Sequence, residues 1–184
     1  MCKTIDLALI ASFPLAASTS AQSAGPLVDP KSVAEFALKT CLPAMDDLAK
    51  VEVMARENNW LTLPPNPAVN PQFTVSKSRW RANGLFVSTW VWINHNVGNG
   101  PHCVVGPPRK TINRDDFFNA MSASVELKLV SNKTFPQLRI ETYEINTDEP
   151  DKVQFDLAAT LDGSVSTILF HRASASDPSV LPDR

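Results

Sequence analysis

Two short turn signals constrain the fold of this chain more than any other feature. Asn83-Gly84 and Asp162-Gly163 each stand between runs of residues that favour β-structure. Such dipeptides are typical of the two-residue turns that join antiparallel strands, and a turn of that length also sets which residues face each other. Because the two signals lie in different halves of the chain, we expect a mainly antiparallel sheet.

The turn at Asn83-Gly84 predicts the two faces of the first hairpin. One face pairs Ala82 with Leu85, Trp80 with Val87 and Ser78 with Thr89. The other face sets mostly basic residues against mostly aromatic ones: Val75, Lys77, Arg79 and Arg81 opposite Trp92, Trp90, Ser88 and Phe86.

The turn at Asp162-Gly163 predicts an apolar face for the last hairpin. It pairs Leu157 with Ile168 and Phe155 with Phe170, and it leaves Gln154, Asp156 and Thr160 on the other face. Further strands are predicted at 102–105, 125–130 and 138–145. The alternation of the last of these shifts near Thr142, which indicates a bulge or a strand end. In the strand before it, we expect Leu127 and Leu129 to point inward or to contact the third helix.

Two helices are predicted before the first hairpin. The first begins at Asp29-Pro30, or at Ser32 through the capping-box pattern that Ser32 forms with Glu35. Its apolar positions recur at helical spacing and turn Cys41 inward. Pro43 is expected to end this helix and to open the next, whose stripe runs from Ala44 to Ala55. Asn58-Asn59 is a plausible stop, and Trp60 should anchor the helix end to the core.

A third helix is predicted over 112–124, with Asn113 as its N-cap. The fold class is therefore α+β, with an N-terminal helix pair and one further helix packed on a mainly antiparallel sheet of about six to seven strands. No internal repeat is visible in the sequence.

The N-terminus has the composition of a secretory signal peptide over residues 1–21. Lys3 is followed by an apolar run over 7–17, and Thr19-Ser20-Ala21 supplies small residues for cleavage. The alternative is a buried N-terminal helix. With cleavage, residues 22–173 form one domain, 174–184 are expected to be a disordered tail, and the protein is secreted or periplasmic. No later apolar segment is long enough to span a membrane.

The cysteines agree with export. Cys2 falls within the signal segment, which leaves Cys41 and Cys103 as an even pair. In an oxidising compartment we expect a bridge between them, and the alternative is two separate buried thiols.

Composition and motifs favour no known chemistry. The net charge of −2 gives no basic excess for nucleic acid. Among the three histidines, His95 and His102 beside Cys103 are the best zinc ligands available, but the chain lacks the usual ligand spacings. No nucleophile motif is present. We therefore predict no catalytic, metal or cofactor-binding residues and no cofactor.

One group of residues suggests a ligand. We call Lys77, Arg79, Arg81, Phe86, Trp90 and Trp92 the basic–aromatic face. Such a face stacks sugar rings and holds anionic groups. In the alternative interpretation another element covers the rings, and the cations only protect a sheet edge.

Part of the sequence resembles a known group of proteins. Phe36, Cys41, Leu42-Pro43, Trp60 and the strand that begins at Cys103 resemble a pattern in small, uncharacterised exported proteins of alphaproteobacteria. The resemblance implies export and a cysteine pair, and it transfers no activity, ligand or catalytic residue.

We therefore predict a non-enzymatic exported binding or accessory protein, with an anionic or glycan component of the envelope as its partner. The alternative is a small cell-envelope hydrolase that uses His95 or His102. A purely structural envelope protein is the third class left open.

Overall fold

The computed structural model describes residues 29–64, 74–92, 100–106, 112–146 and 152–173. The predicted signal peptide and tail lie outside these residues. The helices are α1 (Pro30–Ala44), α2 (Ala49–Glu57) and α3 (Arg114–Ser122). The strands are β1 (Leu61–Thr62), β2 (Thr74–Ala82), β3 (Leu85–Trp92), β4 (Gly100–Gly106), β5 (Leu127–Thr134), β6 (Leu138–Ile145), β7 (Val153–Thr160) and β8 (Val165–Arg172).

The strands form one antiparallel sheet in the order β1-β2-β3-β4-β8-β7-β6-β5, which confirms the α+β class. There are eight strands rather than six to seven. One of them, β1, has only two residues, too few to show a pattern in the sequence. Each half of the chain is a helical segment followed by a four-stranded meander, and the two meanders join where β4 pairs with β8. The topology is therefore repeated although the sequence is not.

The helices share one core with one face of the sheet. Phe117 of α3 lies fully buried with Phe155 of β7 and Phe170 of β8, and Val33 of α1 and Val51 of α2 belong to the same cluster. The opposite face carries the alternate residues of every long strand, and no helix of the described residues packs on it. We call it the open face.

The helix starts were predicted better than the helix ends. Asp29 caps α1 by accepting a 2.8 Å hydrogen bond from the Ser32 backbone N–H, so the first of the two predicted starts is used. The prediction that Pro43 opens the second helix was wrong. Pro43 lies in the last turn of α1, Ala44 is buried as part of that helix, and α2 begins only at Ala49.

The predicted stop of the second helix and its aromatic anchor are confirmed. Asn59 adopts a left-handed conformation with φ of 52°, which asparagine tolerates better than most residues. Trp60 then packs against the core, with its ring centroid 5.5 Å from that of Phe36. The third helix begins as predicted, because the Asn113 side chain accepts from two backbone N–H groups of its first turn.

The predicted register is confirmed from Ala82 opposite Leu85 in the first hairpin and from Leu157 opposite Ile168 in the second. In the second hairpin a bulge between Ala158 and Ala159 separates these confirmed pairs from the turn and pairs Ala159 with Val165. The register of the first hairpin changes further out. A bulge between Val75 and Lys77 pairs Val75 with Val91, so the predicted pairing of Val75 with Trp92 was wrong.

The strand at the far edge of the sheet also differs from expectation. β5 begins at Leu127 and has its own bulge between Leu129 and Ser131, across from the shift predicted near Thr142 in β6. Leu129 is 52% exposed instead of pointing into the core. Its position on an edge strand explains this, because only one side of β5 has a neighbour to cover it.

The predicted bridge joins Cys41 of α1 to Cys103 of β4, with a Cα–Cα distance of 5.5 Å and both residues fully buried. A disulfide is typical of proteins that fold in oxidising compartments. Among the described residues, the helices are all too short or too polar to cross a membrane.

Candidate functional site

Backbone pairing arranges the positions of the open face in rows that run across the sheet. One row crosses seven strands from β2 to β5 and contains Lys77, Trp90, His102, His171, Gln154, Glu144 and Lys128. The row beside it contains Arg79, Ser88, Val104, Leu169, Asp156, Thr142 and Ser131. Three members of the basic–aromatic face, Lys77, Arg79 and Trp90, therefore lie at one end of these rows, and two histidines lie in the middle of the first row.

At the β2–β3 end, an arginine and a ring are in contact. The Arg79 guanidinium carbon lies 4.6 Å from the centroid of the Phe86 ring, within the range of a cation–π interaction. Arg79 Nη1 also donates a 2.9 Å hydrogen bond to the Pro64 carbonyl oxygen, which holds the side chain in place. Arg81, directly opposite Phe86, is exposed, whereas Arg79 and Phe86 are half-buried.

The other three members of the basic–aromatic face are placed by their backbone pairing alone. Lys77 pairs with Trp90 as predicted, and Trp92 pairs with Thr74 because of the bulge in β2. The side chains of these residues lie outside the described part of the chain. Ligand binding by the basic–aromatic face therefore stays a prediction.

The centre of the open face holds a stacked histidine pair. His102 of β4 pairs with His171 of β8, and their ring centroids are 6.1 Å apart with an interplanar angle of 18°. His102 Nδ1 lies 2.9 Å from the Gly100 carbonyl oxygen, so this nitrogen carries the hydrogen in that contact. The pair lies at the junction between the two meanders.

A polar chain continues from His171 toward the far edge. His171 Nε2 is 3.6 Å from Asp156 Oδ1. Thr142 Oγ1 donates to the same oxygen at 2.7 Å, and Ser131 Oγ donates to Thr142 Oγ1 at 3.1 Å. His171 Nδ1 lies 3.2 Å from the Arg172 carbonyl oxygen. Both ring nitrogens of His171 thus face acceptors, an arrangement that suits the doubly protonated ring.

The pKa values of the two histidines shift in opposite directions. Burial acts to lower the pKa of His171, but the nearby Asp156 carboxylate outweighs it, and the net shift is upward. For His102, burial dominates and lowers the pKa, and the charge of His171 lowers it further. At a pH between the two pKa values, His171 is therefore doubly protonated and positively charged, whereas His102 is neutral.

A second polar network lies on the helix-covered face and has a structural role. Arg114, at the start of α3, donates through Nε to Glu141 Oε2 at 2.7 Å and through Nη2 to the Tyr143 hydroxyl at 2.6 Å. The Tyr143 hydroxyl donates to the same Glu141 oxygen at 3.0 Å. These contacts attach α3 to β6. Burial, followed by the charge of Glu141, raises the pKa of Tyr143 to about 12.

Sequence reasoning found part of the central cluster. It placed His102 in a strand and put Gln154 and Asp156 on the face away from the core, but it did not bring them together. The pairing of β4 with β8 joins segments far apart in the chain and has no local signal. The other histidine considered, His95, lies outside the described residues.

No set of three or more metal-ligating side chains is clustered within the part of the chain that the structure describes. Comparison of the chain with protein-family models, with curated proteins and with solved structures found no match. Of the resemblance drawn from the sequence, the structure bears out the joined cysteine pair Cys41–Cys103.

Proposed function

We propose that the protein is an exported, non-enzymatic binding or accessory module. Its open face binds an anionic, sugar-bearing component of the cell envelope. The observation that carries this proposal is the contact between Arg79 and Phe86 next to the exposed Arg81. A cation and an aromatic ring side by side fit a ligand that has both a sugar ring and an acidic group.

Export to the periplasm or the cell exterior is part of the same proposal. It is supported by the signal-like segment 1–21, by the Cys41–Cys103 bridge and by the resemblance to small exported proteins. The bridge supports it because reducing compartments keep most thiols free.

Two matched sugars test the proposed ligand class. The first is a tetrasaccharide of alternating N-acetylglucosamine and N-acetylmuramic acid, and the second is the N-acetylglucosamine tetrasaccharide, which lacks the carboxylates. In isothermal titration calorimetry we expect tighter binding of the acidic sugar. Arg81→Gln should reduce that preference by about tenfold, since a hydrogen bond to a charged group contributes roughly 1.5–3 kcal/mol.

Lys133→Gln is the matched control for Arg81→Gln, because Lys133 is a cation of the open face on the opposite edge strand. It should leave the preference unchanged. Equal affinity for the two sugars, or an Arg81→Gln variant that behaves like wild type, would show that the basic–aromatic face is not the site.

A small cell-envelope hydrolase is the second candidate. It is favoured by the opposite pKa shifts of His102 and His171, since environments that push two pKa values apart divide acid and base roles in active sites. Mass spectrometry of the acidic tetrasaccharide after incubation tests it. Cleavage that His102→Ala abolishes would support the hydrolase, whereas binding without cleavage supports the binding module.

A further inference from the structure

Gln154 is a buried polar residue that the fold does not explain. It is only 8% exposed and lies between His171 and Glu144 in the central row of the open face. Within the described ranges, its side-chain amide makes no hydrogen bond or ion pair. A buried amide without a partner costs free energy, and native proteins keep few of them.

Ser88 is a second such residue on the same face. It is 5% exposed, and its hydroxyl likewise has no hydrogen-bond partner in the described part of the chain. It lies on β3 in the row beside the histidines, while Gln154 lies on β7. The two residues therefore flank the His102–His171 pair on opposite sides.

Space is available beside this cluster. Gly100 stands two positions before His102 on β4, so both occupy the open face. A β-carbon added at Gly100 would meet no atom of the described residues within 4 Å.

We propose that Gln154, Ser88 and the His102–His171 pair, which span three strand spacings or about 14 Å, form a subsite that binds hydroxyl groups along a sugar chain at the centre of the open face. An amide offers donors and an acceptor together, as a hydroxyl does, so neighbouring hydroxyls of a sugar satisfy both. The stacked histidine rings are half-buried and lie between these two residues.

The subsite would bind the uncharged part of the ligand, at a distance from the residues that bind its acidic group. Asp156 lies next to His171 and balances its charge, so the centre of the face has no net attraction for an acid. Arg79 and Arg81 at the β2–β3 end would take the acidic group, and the centre would take the neutral ring. This inference rests on the proposed function, because it assumes the same ligand and the same face.

Gln154→Leu tests the subsite, with both tetrasaccharides as probes. The variant should weaken binding of the acidic and the neutral sugar by the same factor of about ten. Its melting temperature should equal or exceed that of wild type, because leucine removes an amide that has no partner to lose. Gln137→Leu, in the exposed turn between β5 and β6, is the matched control and should change neither property.

Ser88→Ala is the second variant and should also weaken both sugars while the protein stays folded. Wild-type affinity in Gln154→Leu would overturn the subsite, because the amide would then not contact the sugar. A lower melting temperature of that variant would also overturn it, because the amide would then stabilise the fold. If Arg81→Gln reduces the preference of wild type for the acidic sugar, while Gln154→Leu and Ser88→Ala leave the affinity for both sugars unchanged, the proposed function stands and the subsite fails. If neither sugar binds, both fail.

Discussion

Loss of the Cys41–Cys103 bridge should lower the free energy of unfolding by about 4 kcal/mol. The two cysteines are separated by 62 positions. In the chain-entropy model a loop of this length restricts the unfolded chain by about 14 cal/mol/K, which gives this value at room temperature. For a domain of this size, 1 kcal/mol corresponds to about 2–4 °C, so the melting temperature should fall by roughly 8–16 °C.

Urea unfolding and calorimetry of wild type and of a Cys41→Ala/Cys103→Ala variant, each with and without a reductant, check this value. The reductant should destabilise wild type and leave the variant unchanged, which separates the bridge from any loss of packing at these buried positions. Equal stability of wild type in both conditions would refute the reasoning. So would two titratable thiols in the unreduced, denatured protein.

The remaining predictions concern protonation and processing. His171→Gln should destabilise the protein most below pH 6.5, and the difference from wild type should shrink as the pH rises, because a raised pKa stabilises the folded state through its protonated form. His102→Gln should remove a loss of stability that wild type shows as the pH falls below 6.5, because a lowered pKa stabilises through the neutral form; urea unfolding at several pH values measures both. Tyr143 is the only tyrosine, so the phenolate absorbance should titrate near pH 12 as a single step, and a step near the ordinary value of 10 would contradict its burial. Mass spectrometry of the protein from its native cell should find a mature chain that begins after residue 21, and an intact Met1 would rule this out.

The sequence predicted local pairing well because turns act over short distances. A two-residue turn sets the register of its hairpin, so the partners of Ala82 and Leu157 followed directly from Asn83-Gly84 and Asp162-Gly163. The register shifts at a bulge in each hairpin, beyond Lys77 in the first and between Ala158 and Ala159, next to the turn, in the second. A bulge adds a residue to one strand and leaves little trace in the pattern of polarity.

The order of the strands could not be predicted in the same way. Leu129 reads as an inward residue, and it is exposed because β5 lies at the edge of the sheet. His102 and His171 are far apart in the sequence, and only the pairing of β4 with β8 brings them together. The candidate site is assembled by this long-range pairing. Its residues can be seen in the sequence, but their proximity in the fold cannot be predicted from it.

The position of the bridge divides the molecule unequally. Cys41 lies in the first helix and Cys103 in the last strand of the first meander, so the bond closes nearly the whole N-terminal unit into a covalent ring. The second unit is attached by the β4–β8 ladder, by the packing of α1 on α3 and β8, and by the hydrogen bonds of Arg172 to the Met45 carbonyl oxygen and to Asp46. A growing chain exposes both cysteines before β5–β8 are made, so oxidation does not have to wait for the second unit. Opening of the second unit would therefore leave the first unit closed by its covalent bridge.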